Sequence, residues 1–237
     1  MRAILTSLLL VALAGPAAAG AWPREKGSTF VSLSHAVSTG TQTLLTPFMT
    51  ISTYTGLYAE YGLTDKLTLG LDAGFGGDPE DAETDAYTVQ TGAIFLRHPL
   101  WSDDTGHRTA IQFGLGRITD SDHGDQTRII PALAWGYGFE SRFGGGWAGI
   151  DASADFRQPS GDTVWKADAT LGLKPTDRWM GILQLQTGLA PDTDPLVRFA
   201  PSVVRSFGKR VSLQLGAFAG IEGDDSLGGK VALWLTF

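Results

Sequence analysis

Apolar residues alternate one for one with small or polar residues over long stretches of this chain. Leu67, Leu69, Leu71, Ala73 and Phe75 are interleaved with Thr68, Gly70, Asp72 and Gly74. The same period returns over 148–156, 165–173 and 211–219, and in the last residues, where Val231, Leu233, Leu235 and Phe237 share one parity. Successive side chains of a strand point to opposite faces, so each stretch is a ribbon with one apolar face and one polar or tiny face. A helix would put Leu67 and Leu71 on one side and Leu69 on the other. The pattern predicts twelve strands, at about 28–37, 49–63, 67–76, 86–97, 108–118, 127–139, 147–157, 164–173, 179–189, 197–206, 210–221 and 229–237.

The connections fall into two alternating sets. Tight turns follow the second, eighth and tenth strands (64–66, 174–178 and 207–209), whereas 76–85, 119–126, 190–195 and 222–226 are longer or acidic. Residues 98–108, HPLWSDDTGHR, stand where a tight turn is expected yet read as a long one. No internal repeat and no linker divides the chain, which predicts one antiparallel all-β domain.

Alternation alone does not say which face is inside. In a soluble barrel of the lipocalin kind the apolar face points inward. Here the other face carries Gly56, Gly70, Gly92, Gly114, Gly116, Gly172, Gly188 and Gly216 with Ser, Thr and Gln, where a water-facing surface would carry Lys and Glu. Tyr61, Trp101, Trp147, Trp165 and Trp179 lie near strand ends, as rings at a membrane–water interface do. An even strand count also brings both ends of the ribbon to one rim. These features together predict a transmembrane antiparallel up-and-down β-barrel of about twelve strands, with lipid against the leucines.

Composition narrows the setting. Arg2 precedes an apolar run to about Ala14 and then small residues, the anatomy of a cleaved secretory signal over residues 1–21, with the barrel domain over 22–237. Ala17-x-Ala19 permits a cut before Gly20, and Ala19-x-Ala21 a cut before Trp22. There is no cysteine, so no disulfide holds this exported domain together. The net charge of −7 argues against nucleic acid as a partner. Beyond the signal no apolar run approaches the roughly 18 residues of a membrane helix.

The last residues, KVALWLTF, with Gly229 before them and Leu233, Leu235 and Phe237 at alternate places, resemble the C-terminal assembly signal of Gram-negative outer-membrane barrels. YGLTDKLTLGLDAGFG, 61–76, is similar to a periplasmic hairpin of putative outer-membrane transporters. The resemblance implies a monomer in the outer membrane, both termini toward the periplasm, in contact with lipid and lipopolysaccharide. It also implies handling by the barrel-insertion machinery, with small solutes as the cargo of a diffusion-type channel.

Candidate chemistry concentrates on the inner face. Tyr54, Tyr58, Glu60, Asp72, Asp151, Asp155, Arg157, Lys166, Asp168 and Lys230 are expected to line the lumen. If Arg157 stands opposite Val164, then Asp155 faces Lys166, either neutralising it or forming part of a charged constriction. Twelve strands enclose a narrower bore than the 16–18 of porins, so a narrow pathway and a filled barrel both remain open.

No catalytic site and no cofactor are expected. His107-x-Thr109 is the nearest approach to a His-x-Ser pair, and His35 reads as a solvated or lumen-facing residue whose neighbour Ser34 points to the other face. Asp120, Asp122, Asp125 and the Asp78–Asp85 stretch are acidic loop tips without the spacing of a calcium loop, and no metal site is expected. The favoured function is a narrow channel for small solutes; a non-conducting structural or surface-interaction barrel is the alternative, and a lipid-modifying enzyme the third.

Overall fold

A computed structural model describes residues 20–41, 51–77, 89–120 and 124–237. Its strands are β1 (Thr29–Gly40), β2 (Ile51–Thr64), β3 (Leu67–Gly77), β4 (Val89–Ser102), β5 (His107–Asp120), β6 (Gly124–Ser141), β7 (Gly144–Gln158), β8 (Thr163–Thr176), β9 (Trp179–Leu189), β10 (Leu196–Ser206), β11 (Val211–Glu222) and β12 (Ser226–Thr236). Each pairs antiparallel with the next, and β1 pairs with β12 to close the barrel. The starts expected at 49 and 86, and most of the acidic stretch 76–85, lie outside the described residues.

The seam between the first and last strands runs from Gly40 opposite Ser226 to Phe30 opposite Thr236. It continues one residue further: the Thr29 N–H donates to the Phe237 carbonyl at 3.0 Å, and the Phe237 N–H donates to the Thr29 carbonyl at 2.9 Å. Hydrocarbon offers no partner to a backbone N–H or C=O, so a sheet that crosses it must close on itself. The ladder therefore runs through Phe237.

Burial follows the alternation and inverts the order of a soluble protein. Leu33, Ile94, Leu133, Ile150, Leu171 and Leu215 are exposed, while Glu60, Arg97, Arg128, Asp155 and Gln214 are buried. Ile94 is 59 % exposed and Arg128 only 2 %. An apolar outer wall around a polar interior belongs in lipid. Tyr61, Trp101 and Trp179 stand exposed at the rim that carries the termini, and Trp165 at the other.

Four details differ from expectation. Trp147 is no interface ring: it turns into the bore and lies over Gly172, where an added Cβ would come within 2.1 Å of the indole. Gly92 faces outward, opposite Arg117, with open space beside it. Its strand carries apolar residues on both faces, Ala93 and Phe95 inward and Ile94 and Leu96 outward, so parity could not be read there.

The apparent long turn at 98–108 is a tight one. β4 runs on to Ser102 past a register shift at Pro99/Trp101, leaving only residues 103–106 between strands. The Asp103 carboxylate closes this turn, accepting the Thr105 hydroxyl at 2.7 Å and the His107 N–H at 2.9 Å. The Thr105 hydroxyl above all, with the His107 and Thr105 N–H groups, holds that carboxyl below the usual aspartate range. Gly106, at φ +102°, supplies the left-handed residue.

The β7–β8 hairpin closes two residues tighter than expected. Arg157 N–H donates to the Asp162 carbonyl at 2.9 Å, and Gly161, at φ +81°, donates to the Arg157 carbonyl at 3.0 Å. Asp155 consequently stands opposite Val164 and Lys166 opposite Ser153, so the expected Asp155–Lys166 cross-strand pair does not form. A slip of two preserves parity, and both side chains still point inward.

The outer wall gives a direct test. Ile94→Arg should destabilise the barrel by about 2–4 kcal/mol, the cost of a guanidinium near the bilayer midplane. Urea titration in lipid vesicles measures it; an unchanged midpoint would mean that Ile94 is not in hydrocarbon.

Candidate functional site

Among the described residues, two charge clusters flank a cavity in the bore. Toward the rim away from the termini, Arg128 and Arg157 are directly opposed on β6 and β7, an arrangement that is repulsive by itself. Asp155 resolves it. The Arg128 Nε lies 3.1 and 3.0 Å from its two oxygens, Arg128 Nη2 lies 2.9 Å from Oδ2, and Arg157 Nε lies 3.1 Å from the same oxygen. A two-pronged guanidinium–carboxylate contact fixes geometry as well as charge, so this cluster is a rigid strut.

Toward the other rim, Glu60 on β2 accepts from Arg97 Nη1 at 2.6 Å, from the Tyr58 hydroxyl and from Arg24 Nε. Gln112 on β5 completes the group, its Oε1 accepting from Arg97 Nη2 at 2.9 Å. The Arg24 guanidinium also lies 4.6 Å over the Phe30 ring. One carboxylate thus gathers two guanidiniums from distant parts of the chain.

Between the clusters lies a cavity of about 170 Å³, lined by Asp72, Asp151, Asp155, Lys166 and Asp168 with Arg97, Arg128, Gln184 and Tyr58. Asp151 and Asp168 are directly opposed on β7 and β8. Asp168 accepts the Thr187 N–H at 3.2 Å, and Asp151 the Gly20 N–H at 3.0 Å. Tyr54 lies inward over Gly74, where a Cβ would meet its hydroxyl at 2.0 Å. Lys230 opens onto a second, smaller hollow with Gln184, Gln186, Arg198, Gly216 and Phe218, and among the described residues it forms no ion pair. Tyr58, Glu60, Asp155 and Arg157 share this inward parity with Tyr54, Asp72, Asp151, Lys166, Asp168 and Lys230.

A further anchor secures the β11–β12 loop. Arg198 Nε donates to Asp224 Oδ2 at 2.7 Å and Arg198 Nη2 to the Ser226 hydroxyl at 3.0 Å. Burial alone would raise the Asp224 carboxyl, but the Arg198 guanidinium and two Ser226 hydrogen bonds hold it below the usual range. This anchor therefore stabilises the fold above the ordinary aspartate range and is lost as pH falls through the depressed value.

The bore is not polar throughout. Near the terminal rim Phe30, Ile182, Val204, Ala232 and Trp234 form an apolar cluster, joined by Tyr58, Trp147 and Met180. Phe30 and Trp234 meet edge to face at 5.7 Å. Beside it, residues 20–28 fold back into the barrel ahead of β1. Ala21 is 0 % exposed, and Trp22 lies against Gly136, where a Cβ would meet the indole at 2.2 Å. Arg24 N–H donates to the Thr68 hydroxyl at 3.0 Å, and Gly27 N–H to the Gly62 carbonyl at 2.8 Å. Gly62 must lack a side chain, because its Cβ would sit 2.0 Å from the Glu25 carbonyl oxygen. The terminal half of the lumen is thus filled by rings and by the chain's own leading segment.

Sequence reasoning missed Arg24, Arg97, Arg128 and Arg198. Arg97 stands at the very end of an expected strand, and Arg128 immediately precedes a stretch, IIPALAW, with no alternation to reveal its face. The lumen-facing option for His35 fails: its ring points outward and pairs with the Thr55 hydroxyl at 2.9 Å, while Ser34 lies on the other face. His107 stacks on Tyr137 at 4.6 Å, and His123 lies outside the described residues. Among the described residues no group of three or more histidines and carboxylates is placed to hold a metal ion; Asp78–Asp85 and Asp122 lie outside them.

No protein-family model matches the sequence, and no curated protein matches it. Solved structures match in three dimensions. The COG4313 outer membrane channel from Pseudomonas putida F1 superposes with a TM-score of 0.63 at 15% identity, covering 92% of this chain and 98% of that one. The NanC porin gives 0.60 at 11% identity over 87% and 98% of the two chains. The KdgM porin gives 0.59 at 7% identity over 87% and 99%. The chain has the fold of the outer-membrane porins and channels.

Proposed function

We propose that this protein is a narrow outer-membrane channel through which small solutes diffuse, delivered there as an exported monomer by the barrel-insertion machinery. The observation that carries the reading is the charged cavity inside a wall whose outer face is apolar. A solute entering from the loop-bearing rim meets Arg128, Arg157 and Lys166, then the carboxylates Asp72, Asp151 and Asp168. Opposite charges in succession leave little net field, so size and hydrogen bonding select more than charge does. Below them, the apolar cluster and residues 20–28 are the narrowest part of the route. The outer wall contacts lipid and, on the outer leaflet, lipopolysaccharide; Gly229, Leu233, Leu235 and Phe237 are the segment that the insertion machinery reads.

A second reading is a non-conducting structural or surface-interaction barrel. The dense packing of Phe30, Trp147, Ile182 and Trp234 favours it.

Planar-bilayer recording separates the two. The channel reading predicts a small conductance that rises several-fold in a variant lacking residues 22–27. Folded protein that is silent in both forms contradicts the channel and leaves the structural barrel. Lys166→Glu should move the reversal potential toward cation preference; an unmoved potential takes Lys166 off the solute's path. For assembly, removing Phe237 should lower the folded, heat-modifiable fraction in outer-membrane preparations. An undiminished fraction would mean that the terminal ring is not part of the recognised segment.

A further inference from the structure

The bore contains a charge problem that the strands solve only in part. Asp151 and Asp168 face each other directly across β7 and β8 at mid-height. Like charges directly opposed in a sheet repel, and here they also share a cavity wall with Asp72. Arg128 and Arg157 are engaged with Asp155, and Arg97 with Glu60. Lys166, two residues from Asp168 on β8, lines the same cavity wall and faces Asp168 and Asp72 more than Asp151. Among the described residues Asp151 is in an ion pair with none of them, and its hydrogen-bond donor is the main-chain nitrogen of Gly20 at 3.0 Å.

That nitrogen occupies a special place in the sequence. Ala17-x-Ala19 is a small-x-small signal for removal of an export leader, and the bond it marks is the one ending at the Gly20 nitrogen. The alternative mark, Ala19-x-Ala21, would remove Gly20 and Ala21 as well. The fold has room made for both residues. Ala21 is wholly buried, its Cβ within 3.0 Å of where a side chain on Gly136 would begin. Gly20 is buried too, and a Cβ on it would lie 2.4 Å from Asp151 Oδ1, so a larger residue there would push the carboxylate aside. A cut before Trp22 would empty this space and leave Asp151 facing Asp168 without a donor.

We infer that the leader is removed between Ala19 and Gly20, and that the α-ammonium so created is the buried ion-pair partner of Asp151. The step is a hydrolysis: water adds across the Ala19–Gly20 peptide bond, leaving a carboxylate on Ala19 and an amine on Gly20 that takes up a proton. Before the cut the nitrogen offers one neutral N–H. Afterwards it offers three donors and a positive charge, placed where two carboxylates converge. The charge-assisted bond is shorter and stronger than the neutral one. Processing thus locks residues 20–28 into the bore, with Asp151 at the tip of the segment and Glu60 gripping Arg24 midway along it. Asp151 acts here as a positioning residue for the terminus.

The test reads the terminus itself and does not depend on conduction. The intact mass of protein recovered from outer membranes should match a chain beginning at Gly20. A mass lacking Gly20 and Ala21, or one that retains the leader, overturns the inference. Next, the folded protein in detergent is treated with a succinimidyl ester, and labelling of the N-terminal peptide is compared with that of exposed Lys26. The α-amine should react at least about tenfold more slowly in the folded than in the unfolded protein, as expected for a group that reacts only after local opening. Asp151→Asn should abolish that protection, and Asp151→Glu should keep part of it. An α-amine labelled as fast in the folded wild type as in the unfolded chain contradicts the pairing, whether or not the variants fold.

Discussion

The obligation to satisfy every backbone hydrogen bond without help from water governs this molecule. Each N–H or C=O left bare in hydrocarbon costs several kcal/mol, so a sheet in lipid cannot have an edge. The β1–β12 seam discharges that obligation down to the Thr29–Phe237 pair of hydrogen bonds. From it follow the antiparallel order and the shared rim for both ends of the ribbon.

Closure also decides what the interior must do. Alternation sends every second side chain inward, and a narrow barrel leaves these residues within reach of one another. Charges there stand singly only at a cost, and most are found in groups: Asp155 between Arg128 and Arg157, Glu60 among Arg24, Arg97 and Tyr58. Where charges end, rings and aliphatic groups take over, and the segment before the first strand occupies the space that remains. The inner wall is therefore graded along the axis, from charged cavity to apolar stopper.

The strands whose two faces differ in chemistry were legible in the sequence. β3, β7 and β8 alternate over long runs, β11 and β12 do so apart from the inward Phe218, Ala232 and Trp234, and their registers place Asp72, Asp155, Lys166, Asp168 and Lys230 inward as parity requires. Legibility failed where both faces are apolar, around Gly92 in β4 and through Ile129, Ile130 and Pro131 in β6. It failed again where a turn decides register, because a two-residue slip in the β7–β8 hairpin leaves parity untouched while changing every partner. The contacts of Trp22 and Arg24 were out of reach for a different reason. They join residues before the first strand to Gly136, Glu60 and Thr68, and no local pattern encodes a meeting between positions so far apart.

The claim beneath all of this is that lipid, and not water, touches the outer face. The chain has no cysteine, so single thiols can be introduced and labelled at Ile150→Cys on that face and at Ser153→Cys on the inner face of the same strand. With a fluorophore at each site in reconstituted vesicles, a nitroxide-bearing lipid should quench the label at 150 and leave the label at 153 bright. Equal quenching at both sites, or stronger quenching at 153, would contradict the account.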